Sequence, residues 1–333
     1  MNSTKLNEYI YYKDKSHFQE KLQRLIESFS KNKKSVAVIT DFDYTMTSLF
    51  DYETGKQYKS SYYLYDANLI GGDQKKFEEQ RSILHQQYSK YEFDTSYDIK
   101  VREQKMEEWY TKNLELYFEK KFTLDSIDMM VQKLKNNILF RPKLKEYMEL
   151  LISIGIPIII ESGGITQFIY GALKLIFPDM DNLVKQKKIL IISNSFKFDE
   201  KDKGCCGVEH EVIHCFNKAD FIGKHINQEF PELTHVFVLG DHLGDAECVK
   251  SFDKENVIGF GFVNLPINVL KDENKKEFIE NKIKEYNNVF DVALVGNCDY
   301  EPIIEILKKI KDVMGWNMKS FIALIKRILL ESI

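Results

Sequence analysis

The chain has 333 residues, 44% of them hydrophobic and 29% charged, with a formal net charge of −4 and no basic block. That balance supports a full core, in one large domain or a domain with an insert. It argues against a general binder of polymeric nucleic acid, while leaving room for a nucleotide held by a local basic site.

The five cysteines are odd in number and none has zinc-knuckle spacing, so they read as free thiols in a reducing compartment. A cytoplasmic location is the corresponding expectation. The opening "MNSTKLNEYIYYKDK" is polar, unlike a secretory signal. The longest apolar run, "LLISIGIPIII", falls short of the about 20 residues needed to span a bilayer. The closing "SFIALIKRILLESI" is amphipathic and is expected to pack as a helix on the core, with a membrane-surface helix as the alternative.

Short β-branched runs predict strands at 36–40, 157–160, 189–193, 212–216, 235–239, 257–262 and 289–295. Apolar residues at three- and four-residue spacing predict helices at 144–154, 165–177 and 245–252. The alternation implies an α/β fold, a parallel sheet with helices on both faces. The stretch 66–137 breaks it with long, polar, aromatic-rich helical patterns. It reads as a helical cap inserted after the first strand, with 1–65 and 138–333 as the α/β core. Ligands bind outside the carboxyl ends of such strands, so the insert is placed as a lid.

The first strand ends in "TDFDYT", delivering Asp41 and Asp43 to that crevice. Two neighbouring carboxylates need a cation or a shared proton, and Mg²⁺ suits a pair of carboxylates with a substrate phosphate. Asp41 could attack phosphorus while Asp43 handles the leaving-group proton. In "VLGDHLGDAE", Asp241 and Asp245 follow another strand, with Gly240 and Gly244 allowing close approach to an ion. An ordinary turn with Asp245 as helix N-cap is the bland alternative. "IPIIIESGGI" places Ser162 and Gly163 as an anion cradle before a helix; otherwise Ser162 merely caps that helix and Glu161 is an exposed acid. Lys218, in "CFNKAD", supplies a point charge for phosphate or is a solvated surface lysine.

In this order, D-x-D-x-T (Asp41, Asp43, Thr45), Ser162, Lys218, then Asp241 and Asp245, the chain resembles the haloacid-dehalogenase superfamily of Mg²⁺-dependent phosphotransferases. "YEFD", "EWYTK", "SNSFKFDE", "VIHCFNKAD", "LGDHLGD", "GFVN" and "NNVFDVALV" narrow the resemblance to the cytosolic type III, pyrimidine 5′-nucleotidases. That resemblance implies a Rossmann-like core, a helical cap, and hydrolysis of nucleoside 5′-monophosphates, CMP and UMP foremost. It implies Asp41 as nucleophile and Asp43 as general acid/base. Asp41, Asp43 and Asp241 would hold Mg²⁺. Ser162, Gly163 and Lys218 would hold phosphate, with Asp245 and Thr45 supporting. Glu92 would read the base, and Asn113 stands where the family carries serine. A phosphoserine-type phosphatase and a silent nucleotide-binding protein remain the alternatives. The sequence does not fix an oligomeric state.

Overall fold

The computed structural model describes residues 9–118, 122–201 and 203–314. The amphipathic C-terminal stretch falls outside them. In chain order the strands are β1 (Ile10–Tyr12), β2 (Val36–Asp41), β3 (Ile158–Ile165), β4 (Ile189–Asn194), β5 (Phe196–Phe198), β6 (Cys205–Val208), β7 (His235–Gly240), β8 (Val257–Val263) and β9 (Val292–Val295). The helices are α1 (Lys15–Lys31), α2 (Gln74–Phe93), α3 (Ile99–Phe118), α4 (Leu124–Leu134), α5 (Leu144–Ile154), α6 (Thr166–Lys174), α7 (Met180–Lys185), α8 (Lys218–Glu229), α9 (Ile267–Leu270), α10 (Lys276–Asn287) and α11 (Glu301–Met314).

Seven strands form one sheet in the order β1-β9-β8-β7-β2-β3-β4. Only β1 is antiparallel, at the edge against β9. From β2 the chain builds outward through β3 and β4, then returns to lay β7 on the other side of β2. The strand order therefore reverses at the carboxyl ends of β2 and β7, where open α/β sheets bind ligands.

Both faces of the central strands are buried, which accounts for their unbroken apolar sequences. Val36, Val38, Ile158, Ile160, Phe237 and Leu239 join one cluster with α5, α6 and α11. Ala37, Ile39, Ile159, Val236 and Val238 point the other way, against Ile222 and Ile226 of α8. Each fully buried Ile or Val contributes about 1.5–3 kcal/mol.

The first of these clusters continues without a break into the 66–137 segment. Tyr65, Phe77 and Tyr117 meet at centroid separations of 4.4–5.1 Å, and Tyr117 reaches Phe168 of α6 and Phe196 of β5. Many of the segment's aromatics are thus core. The β5–β6 hairpin, which period-2 patterning did not reveal, packs here through Phe196.

One predicted strand is absent. Residues 212–216 form a loop because side chains take their backbone groups. Asn194 receives the Ile213 N–H and donates to its carbonyl, and Asn217 does the same for His214 N–H and the Val212 carbonyl. The stretch predicted as helix at 245–252 is a 3₁₀ turn over Leu243–Val249, capped by His242, with Asp245 completing the capping box. Among the described residues no helix is long and apolar enough to cross a membrane.

Candidate active site

β2 delivers Asp41 at its last position, 8% exposed. The next side chain, Phe42, turns into the apolar cluster, so Asp43 emerges on the same side as Asp41. Ser61 fixes Asp43, donating its N–H to Oδ1 at 2.7 Å and its hydroxyl to Oδ2 at 2.8 Å. The chain then turns through Tyr44 at φ 67°, a left-handed conformation rare for a tyrosine. Buried Arg141 holds that turn. Its guanidinium donates to the carbonyls of Tyr44 (2.6 Å), Thr45 (2.9 Å) and Cys298 (3.1 Å), and to Asn264 Oδ1 (2.9 Å). Asn264 in turn donates to the Tyr44 carbonyl and to Asp241 Oδ2. The Thr45 hydroxyl is buried without a hydrogen-bond partner.

β3 brings Glu161, Ser162 and Gly163 alongside, through an irregularity between Glu161 and Ile165. Ser162 does not cap α6, which begins four residues later; its hydroxyl accepts from Gly164 N–H. The Gly163 carbonyl is taken by Tyr62 hydroxyl (2.6 Å) and Asn194 amide (2.8 Å). A β-carbon on Gly164 would stand 3.0 Å from the Ser61 hydroxyl, so Asp43 and the Ser162 turn share one neighbour.

Lys218 opens α8 and is buried, not solvated. Its Nζ lies 2.9 Å from Asp41 Oδ1, 3.0 Å from Asp245 Oδ1 and 3.4 Å from Glu161 Oε1. Glu161 is completely buried, the opposite of an exposed acid; neither oxygen makes an aligned hydrogen bond. From β7, Asp241 carries its carboxylate into the same group, and the ligand atoms of Asp41, Asp241 and Asp245 all lie within 4.8 Å of one another. Asp43 is not in that trio.

Among the described residues, five acids therefore meet one free-standing ammonium, since Arg141 is committed chiefly to carbonyls. Burial, then neighbouring negative charge, raises Asp41 well above the carboxylate range even against Lys218. Burial and Asp245 push Asp241 up to about 8. Burial lifts Asp43 to about 6, with the Ser61 hydrogen bonds pulling the other way. Burial lifts Glu161 to about 7, opposed by Lys218. Burial works against the Lys218 charge, but Asp245, Asp41 and Glu161 outweigh it and hold it raised. This uncompensated negative charge, presented on oxygen donors alone, fits a hard divalent cation of the Mg²⁺ kind.

The helices of the 66–137 segment reach the site through Tyr110. A β-carbon on Gly163 would stand 3.2 Å from the Tyr110 hydroxyl, and the Tyr110 ring lies 6.1 Å from His214. Glu92 sits close enough to Tyr110 and Cys215 to raise both, after burial. Asn113 points elsewhere. It donates to the Trp109 carbonyl and lines a cavity of about 340 Å³ with Lys59, Tyr63, Arg81, His85 and Trp109. No described contact joins Glu92 to Asn113.

The sequence model of the pyrimidine 5′-nucleotidase (UMPH-1) family matches residues 44–311. The chain belongs to that family. It is a hydrolase of the 5′-nucleotidase type on a mixed α/β fold with a mostly parallel central sheet. The 7-methylguanosine phosphate-specific 5′-nucleotidase of Drosophila melanogaster is 25% identical over 281 residues, 83% of this chain and 80% of the relative. The human protein of the same description is 27% identical, covering 77% and 78%. The crystal structure of cytosolic 5′-nucleotidase IIIB bound to cytidine superposes with a TM-score of 0.72 at 21% identity, covering 95% of this chain and 99% of that one.

Several site residues of this family member carry no sequence signal strong enough to single them out. Ser61 and Tyr62 lie in a tyrosine-rich stretch, and Arg141 is one of three basic residues in "RPKLK", with nothing local to set it apart. Asn264 was legible only as the last letter of "GFVN".

Proposed function

We propose that the protein is a divalent-cation-dependent 5′-nucleotidase that hydrolyses nucleoside 5′-monophosphates through an aspartyl-phosphate on Asp41. The observation carrying this is Lys218 gripped between Asp41 and Asp245 at the sheet's switch point, with Asp43 separately held by Ser61.

Asp41 attacks the phosphorus, and the bond to the 5′ oxygen breaks. Asp43, lifted toward neutrality by burial, donates its proton to that leaving oxygen. Ionised after the first step, it takes a proton from the water that hydrolyses the acyl phosphate. Lys218 and the Ser162–Gly163 turn receive the phosphoryl oxygens. Asp41, Asp241 and Asp245 are the residues that would hold the cation, which when bound neutralises phosphoryl charge.

The helices of 66–137 act as a cap, with Tyr110 closing over Gly163. Glu92 reads the base. A carboxylate accepts and does not donate, so it favours an edge rich in donors. Cytosine's amino group suits it better than uracil's single ring N–H. The cationic base of 7-methylguanosine suits it in charge as well, in keeping with the descriptions of two relatives.

Phosphate release from CMP, UMP, 7-methylguanosine 5′-monophosphate, AMP, GMP and phosphoserine, with Mg²⁺ and with excess chelator, tests the reading. CMP and the methylated nucleotide should lead, and chelator should silence all. Preference for phosphoserine, or full activity in chelator, rejects it.

A further inference from the structure

Among the described residues, Glu161 is the one buried acid of the site that the proposed chemistry leaves without work. It stands in an otherwise apolar run, Ile158 to Glu161 being fully buried, immediately before Ser162. Its nearest cation is Lys218, 3.4 Å away, and neither of its oxygens has an aligned hydrogen-bond donor. Cys248 lies beside it, near enough for its thiol to favour the Glu161 carboxylate, and that thiol also donates to the Asp245 carbonyl at 2.9 Å.

An ammonium has three N–H donors. Two of those on Lys218 go to Asp41 and Asp245, and Glu161, unaligned at 3.4 Å, competes for the third, the one a phosphoryl oxygen would need. One partner must yield when phosphate enters. Asp41 and Asp245 hold Lys218 at hydrogen-bond length, whereas Glu161 is farther and poorly aligned. Asp245 is also anchored at its other oxygen by His242 N–H, at 2.9 Å. Glu161 is the arm that lets go.

Resting on the reading of Lys218 as a phosphate ligand, we propose that Glu161 is a positioning residue that competes with the phosphoryl group for Lys218, weakening phosphate binding and drawing the lysine back when product phosphate leaves. Binding of phosphate strands Glu161 without a cation in an apolar wall, and its departure restores the pair. A merely structural Glu161 has no such effect on affinity.

The test compares wild type with Glu161→Gln, which keeps shape and removes the charge. Inorganic phosphate binding is measured by titration calorimetry in the presence of Mg²⁺, and KM and kcat on CMP are measured separately. Phosphate should bind roughly tenfold more tightly to the variant. KM should fall while kcat does not rise, because release becomes slower. Glu161→Met removes the same charge with an apolar side chain and carries the measurement if the glutamine variant does not fold. Unchanged or weaker phosphate binding in a folded variant overturns the proposal, as does failure of both variants to fold. Wild type that binds phosphate but hydrolyses no 5′-monophosphate overturns the functional reading instead, and leaves this comparison intact.

Discussion

The Asp245 carboxylate occupies the place where a side chain on residue 240 would begin. A β-carbon built on Gly240 stands 2.3 Å from Asp245 Oδ2 and 2.4 Å from its β-carbon. The glycine at the end of β7 thus lets Asp245 fold back beside Asp41 and grip Lys218. Gly240→Ala must push Asp245 away, and overpacking of this kind costs about 1–3 kcal/mol. Turnover should drop at least tenfold with an intact circular dichroism spectrum. An alanine variant of wild-type activity would remove Asp245 from the site.

The crowded acids predict a reversed pH dependence of stability in metal-free protein. Asp241 stands at about 8, Glu161 at about 7 and Asp43 at about 6, against ordinary values of 3.8, 4.5 and 3.8. Well below the ordinary values both folded and unfolded chains are protonated, and these groups cost nothing. As pH rises the unfolded chain loses its protons first, the folded chain binds more, and stability falls until about pH 8. Melting in chelator should therefore occur at lower temperature near pH 8 than near pH 5, and added Mg²⁺ should recover more at the higher pH. Asp241→Asn should melt higher at pH 8 and respond little to Mg²⁺.

Ser61 tunes the proton donor. Its hydrogen bonds to Asp43 favour the ionised carboxylate, holding the group lower than burial alone would. Ser61→Ala removes the hydroxyl bond and keeps the backbone one. The alkaline limb of kcat/KM, expected near 6 from Asp43, should move upward in that variant. A profile that stays in place would assign the limb to another group.

Arg141 predicts a conspicuous difference between two basic residues. Four acceptors from three parts of the chain share its planar guanidinium, which also lies 4.0 Å over the Phe262 ring. Lysine cannot span that fork. Losing even one charge-assisted bond costs about 1.5–3 kcal/mol. Arg141→Lys should lower the denaturation midpoint and slow turnover together, because the Tyr44 turn that places Asp43 loses its anchor.

Glu92→Gln tests the base reading. Replacing one carboxylate oxygen by an amide donor should erode the CMP:UMP ratio of kcat/KM by about tenfold or more. A ratio unchanged from wild type would leave Glu92 as a half-buried acid of the 66–137 segment without a part in recognition.

The strands carrying the site were legible because fully buried parallel strands write themselves as apolar runs, and carboxylates at their ends interrupt the pattern. β2 and β7 agree to within one residue for that reason, while β3 begins as expected but runs five residues further, through Glu161 to Ile165. The same rule misread 212–216, where Asn194 and Asn217 substitute for a neighbouring strand, which only the folded chain reveals. It also assigned Glu161 no part in the site, since nothing local distinguishes an acid buried beside a lysine 57 positions away from one in solvent. The short β1 and the β5–β6 hairpin are too brief for periodicity to register.

The three carboxylates around Lys218 come from chain positions 41, 161 and 245, and no two of them belong to one local motif. Closure of such separated loops is the slow part of forming a parallel sheet. Helices and the β5–β6 hairpin can be present while the ammonium still has no partner. Recovery of turnover during refolding should consequently lag behind recovery of helical signal, which makes the enzyme's own reaction a clock for the last event of its assembly.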